Sequence, residues 1–145
     1  MLRKSLSLCG FLVAAAGTLW LFAIHHLLAT NYMLLVVQAC AVLLMLWARA
    51  TFGLRSFHAT ANTTGGGLVT TGPYRYWRHP IYASIIYFVW AGQVEMPTIL
   101  SVSLALAVTA GLVVRMVLEE QFLVTAYPEY SEYMRHAKRL VPFVF

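Results

Sequence analysis

Long apolar stretches separated by short polar breaks dominate the pattern of this chain. Between Lys4 and Arg49 no Asp, Glu, Lys or Arg occurs, and Glu95 is the only such residue from Pro80 to Val114. A membrane-spanning helix needs about 20 predominantly apolar residues, so each stretch predicts two helices joined by a turn. Polar or turn-forming residues mark the two turns: His25, His26, Thr30 and Asn31 in the first stretch, and Gly92, Gln93, Glu95 and Pro97 in the second.

The pattern therefore predicts an all-α membrane bundle that forms a single domain. Its expected elements are four spans at about 6–26, 32–50, 80–93 and 98–118, a loop at 51–79, and a short amphipathic helix at about 128–137. The third span is the shortest, and we expect it to be tilted or partly interfacial. Arg3 and Lys4 before the first apolar run resemble a signal peptide. The run is long and a second span follows at once, so we interpret it as a retained signal anchor.

Composition and charge support a membrane protein. Of the 145 residues, 61% are hydrophobic and only 10% are charged, against about 25% charged residues in soluble domains. These values argue against a soluble enzyme or a nucleic-acid-binding protein. With four spans, all ten Lys and Arg residues fall on one side of the membrane, which predicts cytosolic termini and a cytosolic 51–79 loop. Topology and headgroup contact account for most of these basic residues. Cys9 and Cys40 lie in apolar stretches and predict neither a disulfide framework nor a metal site.

The first segment with candidate chemistry runs from Gly65 to Tyr82. Its three successive glycines form neither a phosphate loop nor a dinucleotide fingerprint, and a flexible linker would explain them equally well. Pro80 suits the first position of the third span, so His79 lies at a helix N-terminus, where free N–H groups favour an anion. The aromatic residues of this segment also suit an interfacial belt: Tyr74, Tyr76, Trp77 and Tyr82.

The second segment follows the fourth span. Arg115, Glu119 and Phe122 share one helix face, and Arg115 lies about 26 Å along the span, at the edge of the hydrocarbon. An ionisable group at that depth is a functional candidate, although a snorkelling arginine and a solvated acidic pair are the simpler interpretation. The tail helix after Pro128 carries an apolar face that either lies on the membrane or folds over a site. That face contains Tyr130, Tyr133, Met134 and Ala137.

Together the two segments resemble the superfamily of isoprenylcysteine carboxyl methyltransferases and phospholipid methyltransferases. The resemblance covers residues 65–145 and depends on Arg78-His79-Pro80-Ile81-Tyr82, followed roughly forty residues later by Glu119-Glu120-Gln121-Phe122-Leu123. Ser84 departs from the glycine that this motif often contains. The resemblance implies an all-helical protein that binds S-adenosylmethionine on the cytosolic side.

The resemblance also assigns roles by position. It implies cofactor contacts from Gly66, Gly67, Leu68, Val69, Tyr74, His79, Pro80, Ile81, Tyr82, Glu119 and Glu120. Arg115 matches a substrate-contacting arginine, which makes Arg115 and His79 the candidate catalytic residues. A sulfonium cofactor with an amino-acid tail requires aromatic surface, a carboxylate partner and anion-binding N–H groups, and these two segments contain all three.

The expected activity is methyl transfer to a lipophilic or prenylated acceptor, with membrane lipids as the surroundings and no nucleic acid as partner. A carboxylate acceptor is already ionised at neutral pH and needs no general base, and Arg115 suits a carboxylate. An amine acceptor, as in a phospholipid, would need a base such as His79 or Glu120. An NADPH-dependent membrane reductase of the sterol-reductase type and a non-enzymatic membrane protein are the alternatives. The sequence leaves the oligomeric state open.

Overall fold

The computed structural model describes residues 2–53 and 67–141, and within these ranges the protein is all-helical. Its helices are α1 (Leu2–Ala23), α2 (Tyr32–Phe52), α3 (Pro80–Glu95), α4 (Ile99–Ala126) and α5 (Tyr130–His136), with a short 3₁₀ turn at Gly72–Arg75 before α3. The prediction of a helical membrane bundle is confirmed. Residues 54–66 of the predicted 51–79 loop lie outside the described part of the chain.

Among the described residues, three helices are long and apolar enough to cross a membrane, namely α1, α2 and α4. Helix α3 has 16 residues, or about 24 Å, which is shorter than a hydrocarbon core of about 30 Å. The sequence also predicts this helix to be the shortest of the four. Helix α4 continues to Ala126, beyond the predicted end at 118, because no helix-breaking residue occurs before Pro128. The number of membrane crossings stays a prediction.

Small residues bring α1 and α4 into close contact. A Cβ atom added to Gly10 of α1 would lie 2.6 Å from the carbonyl oxygen of Gly111 in α4. Farther along these two helices, the side chains of Leu21 and Val108 are fully buried. Within a membrane, lipid tails are as apolar as the side chains, so close backbone approach through small residues is what holds such helices together.

A buried amide ties the turn between α1 and α2 to α3. The Gln38 side chain accepts a hydrogen bond from the backbone N–H of Ala29 (3.1 Å) and donates to the carbonyl of Leu27 (2.8 Å). It also donates to the carbonyl of Phe88 in α3 (3.1 Å). Glu95 at the end of α3 accepts from the backbone N–H of Thr30 in the same turn (2.6 Å). These bonds hold α2 and α3 side by side, which places the start of α3 beside the end of α2.

The segment after α5 pairs with the segment before α3. The backbone N–H of Arg78 donates to the carbonyl of Lys138 (2.6 Å), and the N–H of Lys138 donates to the carbonyl of Tyr76 (3.1 Å). The hydroxyl of Tyr133 in α5 donates to the carbonyl of Tyr74 (2.5 Å). The C-terminal part of the described chain is thereby fastened to the residues that lead into α3.

Candidate active site

A cavity of about 570 Å³ lies where α2 and α4 end and α3 begins. Its volume falls in the range of about 300–1,000 Å³ that is usual for small-molecule sites. Most of the site residues expected from the resemblance line it: Gly67, Leu68, Val69, Tyr74, His79, Pro80, Ile81, Tyr82, Arg115 and Glu119. Gly66 lies outside the described residues. Two segments that are far apart in the sequence therefore share one cavity.

Three side chains form a hydrogen-bonded chain across the polar end of this cavity. The hydroxyl of Tyr82 donates to Oε1 of Glu119 (2.6 Å) and accepts from Nε of Arg115 (2.6 Å). The guanidinium of Arg115 also lies 3.2 Å from Oε1 of Glu119. This pairing explains how charged groups tolerate a location so deep in an apolar bundle, since a buried charge is costly unless it is paired and hydrogen-bonded.

Aromatic rings surround the guanidinium of Arg115. Its central carbon lies 5.4 Å from the ring centroid of Phe11 and 5.9 Å from that of Tyr82. The residue is only 4% exposed, and the face of an aromatic ring attracts a desolvated cation. Arg115 is therefore fixed at the boundary between the polar and apolar parts of the cavity, as a buried group that faces the site and not as a snorkelling surface residue.

His79 lies between the two acidic residues of α4. Its ring stacks on Tyr82 with a centroid distance of 5.5 Å and an interplanar angle of 9°. Its Nδ1 atom is 3.9 Å from Oε2 of Glu119, and its Nε2 atom is 3.2 Å from Oε1 of Glu120. His79 occupies the N-cap position of α3, and Ile81 and Tyr82 of the first helical turn, whose N–H groups have no partner within the helix, line the cavity. A helix start of this kind favours an anionic group.

Glu120 is absent from the cavity wall, although two members of its ion cluster, Arg78 and His79, line the cavity. Its carboxylate lies 2.9 Å from Arg78, 2.9 Å from Arg139 and 3.2 Å from His79. Its expected contact with a cofactor stays a prediction, whereas its contact with His79 is direct. Sequence reasoning gave no site role to Arg78, although Arg78 belongs to the motif that carries the resemblance. It also missed Arg139, because nothing in the local pattern distinguishes a cluster-forming arginine from one that binds headgroups.

Buried tyrosines close the other side of the cavity. Tyr74, Tyr130 and Tyr133 line it, and burial raises the pKa of each phenol well above its ordinary value. All three are therefore neutral at physiological pH. Because Tyr130 and Tyr133 belong to α5, the tail helix folds over the site, one of the two arrangements that its sequence allows.

The deeper end of the cavity is apolar and is built largely by α1. The lining residues there are Phe11, Ala14, Ala15, Thr18, Leu19, Ile85 and Leu112. Sequence reasoning did not find the contribution of α1, because its apolar composition is the same as that of any span. The spacing of Gly10, Ala14 and Gly17 was the available signal, since small residues at such intervals mark a helix-packing face. Ser84 is buried and donates to the carbonyl of Ile81 (2.7 Å), outside the cavity wall.

Comparison with known proteins bears on the identity of this fold and site. A family model described as phospholipid methyltransferase matches residues 24–130, which is most of the chain. This chain belongs to the phospholipid methyltransferase family. The resemblance found in the sequence is thereby confirmed at the level of the family, and the match includes His79, Arg115 and Glu119. The matched region ends at residue 130, before Arg139.

One curated relative of this family member is the cobalt-zinc-cadmium resistance protein CzcN of Cupriavidus metallidurans. The two are 36% identical over 77 residues, which cover 52% of this chain and 35% of the relative. The aligned region thus spans about a third of the length of the relative. No solved structure matches the chain significantly. Within the described residues, no group of three or more His, Cys, Asp or Glu side chains is arranged to hold a metal ion.

Proposed function

We propose that this protein transfers a methyl group from S-adenosylmethionine to a lipophilic acceptor within the membrane. The observation that carries the proposal is the cavity, in which Glu119, Tyr82, His79 and Arg115 occupy one end and apolar residues of α1 the other. Membership of the phospholipid methyltransferase family supports the same activity. The acceptor class and the membrane side of the site are further parts of the proposal.

The residues of the polar end suit the donor chemically. When bound, S-adenosylmethionine supplies an electrophilic methyl group on a positively charged sulfur. Glu119 and the rings of Tyr74 and Tyr82 suit a cation, and the start of α3 suits a carboxylate. Gly67 has a φ of +83° with open space around it, so the backbone there can approach a ligand closely.

Arg115 is the residue that selects the acceptor in this proposal. It lies between the polar end and the apolar wall formed by Ala14, Ala15 and Leu112, so it can hold an anionic head while a lipid tail lies along α1. A guanidinium suits a carboxylate because its fork of N–H donors matches two carboxylate oxygens. We therefore favour a carboxylate acceptor such as an isoprenylcysteine-type molecule. Catalysis then consists mainly of positioning the reactants and excluding water.

A phospholipid amine is the second acceptor class, and the family name favours it. An ammonium group must lose a proton before it can accept a methyl group, so this chemistry needs a proton acceptor at the cavity. His79 lines the cavity and Glu120 does not, so His79 is the better candidate for that role. For either acceptor we propose a site on the cytosolic side, which the distribution of basic residues supports.

The test uses the full chain purified in nanodiscs that contain the lipids of its expression host. Labelled S-adenosylmethionine is added, and organic-soluble label is counted with and without added isoprenylcysteine analogue or phosphatidylethanolamine. The proposal predicts label in the lipid phase and a large decrease of that label in Arg115→Ala. A thermal shift with NADPH and none with S-adenosylmethionine would instead support a reductase. A non-enzymatic protein would respond to neither.

A further inference from the structure

Arg139 lies beyond the residues that match the family model, yet its side chain reaches the site through one intermediate residue. Its guanidinium contacts Oε2 of Glu120 through Nε (3.1 Å) and through a terminal nitrogen (2.9 Å). Oε1 of the same carboxylate lies 3.2 Å from Nε2 of His79. Arg139, Glu120 and His79 therefore form a continuous chain of charge-assisted hydrogen bonds from the C-terminal segment to the cavity.

The backbone fixes Arg139 relative to His79 as well. The N–H of His79 points to the carbonyl of Arg139 (3.4 Å), next to the parallel bridge between Trp77 and Lys138. The neighbouring Arg78 adds a second guanidinium at 2.9 Å from Oε1 of Glu120. Glu120 is thus held from two sides, and its carboxylate is only 7% exposed. Such a carboxylate has little freedom to rotate away from His79.

The contact with Glu120 determines which nitrogen of His79 carries the proton. An ionised carboxylate only accepts hydrogen bonds, so Nε2 of His79 must carry the proton that lies between them. In the neutral ring, Nδ1 is then the nitrogen with the lone pair. Nδ1 is 3.9 Å from Glu119, beyond hydrogen-bond distance, on the side of the ring that faces the cavity carboxylate. Tyr82 stacks on this ring, and Arg78 contacts the same oxygen of Glu120 that His79 contacts.

We infer that Arg139 and Glu120 are positioning residues, which hold His79 in the Nε2–H tautomer so that Nδ1 can accept a hydrogen bond or a proton from a bound ligand. The nature of that ligand rests on the proposed function, whereas the tautomer does not. A purely structural role would require only that the cluster fasten the C-terminal segment to α4. The two roles differ in what happens to the His79 ring when the cluster is altered.

Glu120→Gln gives the sharpest contrast because it keeps the size of the side chain. Arg139 contacts Oε2 of Glu120 through two nitrogens, so the amide oxygen of the glutamine should take the position of Oε2. The NH₂ group then takes the position of Oε1, so the donor-only Arg78 must turn away and Nε2 of His79 must become the acceptor. The inferred role therefore predicts a switch of His79 to the Nδ1–H tautomer in this variant.

The measurement is nitrogen-15 NMR of labelled histidine in nanodiscs, with the His79 signals assigned by their loss in His79→Gln. The wild-type protein should show the Nε2–H tautomer, Glu120→Gln the other, and Arg139→Ala a mixture. Arg135→Ala is the matched control, because Arg135 is 77% exposed and its carboxylate partner within the described residues is Glu132, on the same helix. It should leave the His79 signals unchanged.

The companion measurements are the affinity for S-adenosylmethionine and the ratio kcat/KM of methyl transfer. Both should fall on the order of 10- to 100-fold in Glu120→Gln and Arg139→Ala. Arg139→Lys keeps the charge without the two-point contact and should recover part of the loss, and it replaces Arg139→Ala if that variant does not fold. Identical His79 signals in the wild type and Glu120→Gln would overturn the inference. The tautomer could switch in Glu120→Gln while neither the wild type nor any variant transfers methyl groups. In that case the proposed function fails and the positioning role stands.

Discussion

The hydroxyl of Tyr82 donates a hydrogen bond of 2.6 Å to Glu119, 37 positions later in the chain. It accepts a bond of the same length from Arg115, so one phenol links a cation and a carboxylate at the polar end of the cavity. Tyr82 belongs to the first turn of α3 and its two partners belong to α4. This contact joins the two sequence segments that the family resemblance assigns to the site.

Removal of that hydroxyl should impair the site more than the fold. In Tyr82→Phe, the ring still stacks on His79 while the link between Arg115 and Glu119 is reduced to their own contact of 3.2 Å. Hydrogen bonds to charged groups contribute about 1.5–3 kcal/mol, so kcat/KM should fall about 10- to 100-fold. Tyr76→Phe alters a 43% exposed residue outside the cavity wall and is the control. Equal activities of the two variants in the methyl-transfer assay would contradict this role of Tyr82.

Arg115→Ala should weaken use of the acceptor more than binding of the donor. The guanidinium lies at the boundary with the apolar end of the cavity, where the head of a lipophilic acceptor is proposed to bind. We expect kcat/KM for the acceptor to fall about 100-fold, since a charged hydrogen-bonding group is removed from a desolvated site. The exposed residue Arg75 supplies the control Arg75→Ala. Steady-state kinetics with each reactant varied in turn separates the two effects, and a loss confined to donor affinity would argue against acceptor recognition.

Gly111→Ala should destabilise the protein by separating α1 from α4. The added methyl group would lie 2.6 Å from the carbonyl oxygen of Gly10, and the backbone cannot move away without loss of packing. Overpacking of this kind typically costs about 1–3 kcal/mol. Ala110→Val adds carbon atoms at an exposed neighbouring position and should be tolerated. The thermal midpoint in detergent, measured for both variants, decides whether this contact is as close as the structure shows.

Stability should fall at alkaline pH because of the buried phenols. Burial raises the pKa of Tyr74, Tyr130 and Tyr133 in the folded protein, so each stabilises the fold fully below the unfolded value of about 10. That contribution is lost as the pH rises toward the higher folded pKa values. Tyr133→Phe should therefore make the decline of the free energy of unfolding above about pH 10 shallower. The slope against pH should change by an amount that corresponds to at most about one proton. Tyr32→Phe, at a residue 87% exposed, serves as the control. Chemical denaturation at several pH values measures the slopes, and an unchanged slope in Tyr133→Phe would show that its phenol does not contribute.

The sequence was sufficient to predict the bundle, the short third helix and ten of the residues that line the cavity. Apolar stretches determine where helices form, and the pair His79-Pro80 indicates where α3 begins. The polar groups at the site lie in two segments whose residue types already suit one ligand. For these parts, local composition carries the structural information.

Other parts depend on packing that no local pattern encodes. Whether Glu119 or Glu120 faces the cavity depends on the rotation of α4, which its contact with Gly10 of α1 helps to fix. Arg139 contacts Glu120 only because the C-terminal segment pairs with the residues before α3. In sequence, Arg139 cannot be distinguished from the basic residues that contact headgroups.

The most direct test of the account is the affinity of the purified protein for S-adenosylmethionine, measured by titration calorimetry in nanodiscs for the wild type, Glu119→Gln and Glu129→Gln. Glu119 supplies the carboxylate of the cavity, whereas Glu129 is exposed and lies outside it. We expect binding by the wild type and by Glu129→Gln, and an affinity about 10- to 100-fold lower in Glu119→Gln. Absence of binding by the wild type, or equal affinities in all three proteins, would contradict the proposed donor site.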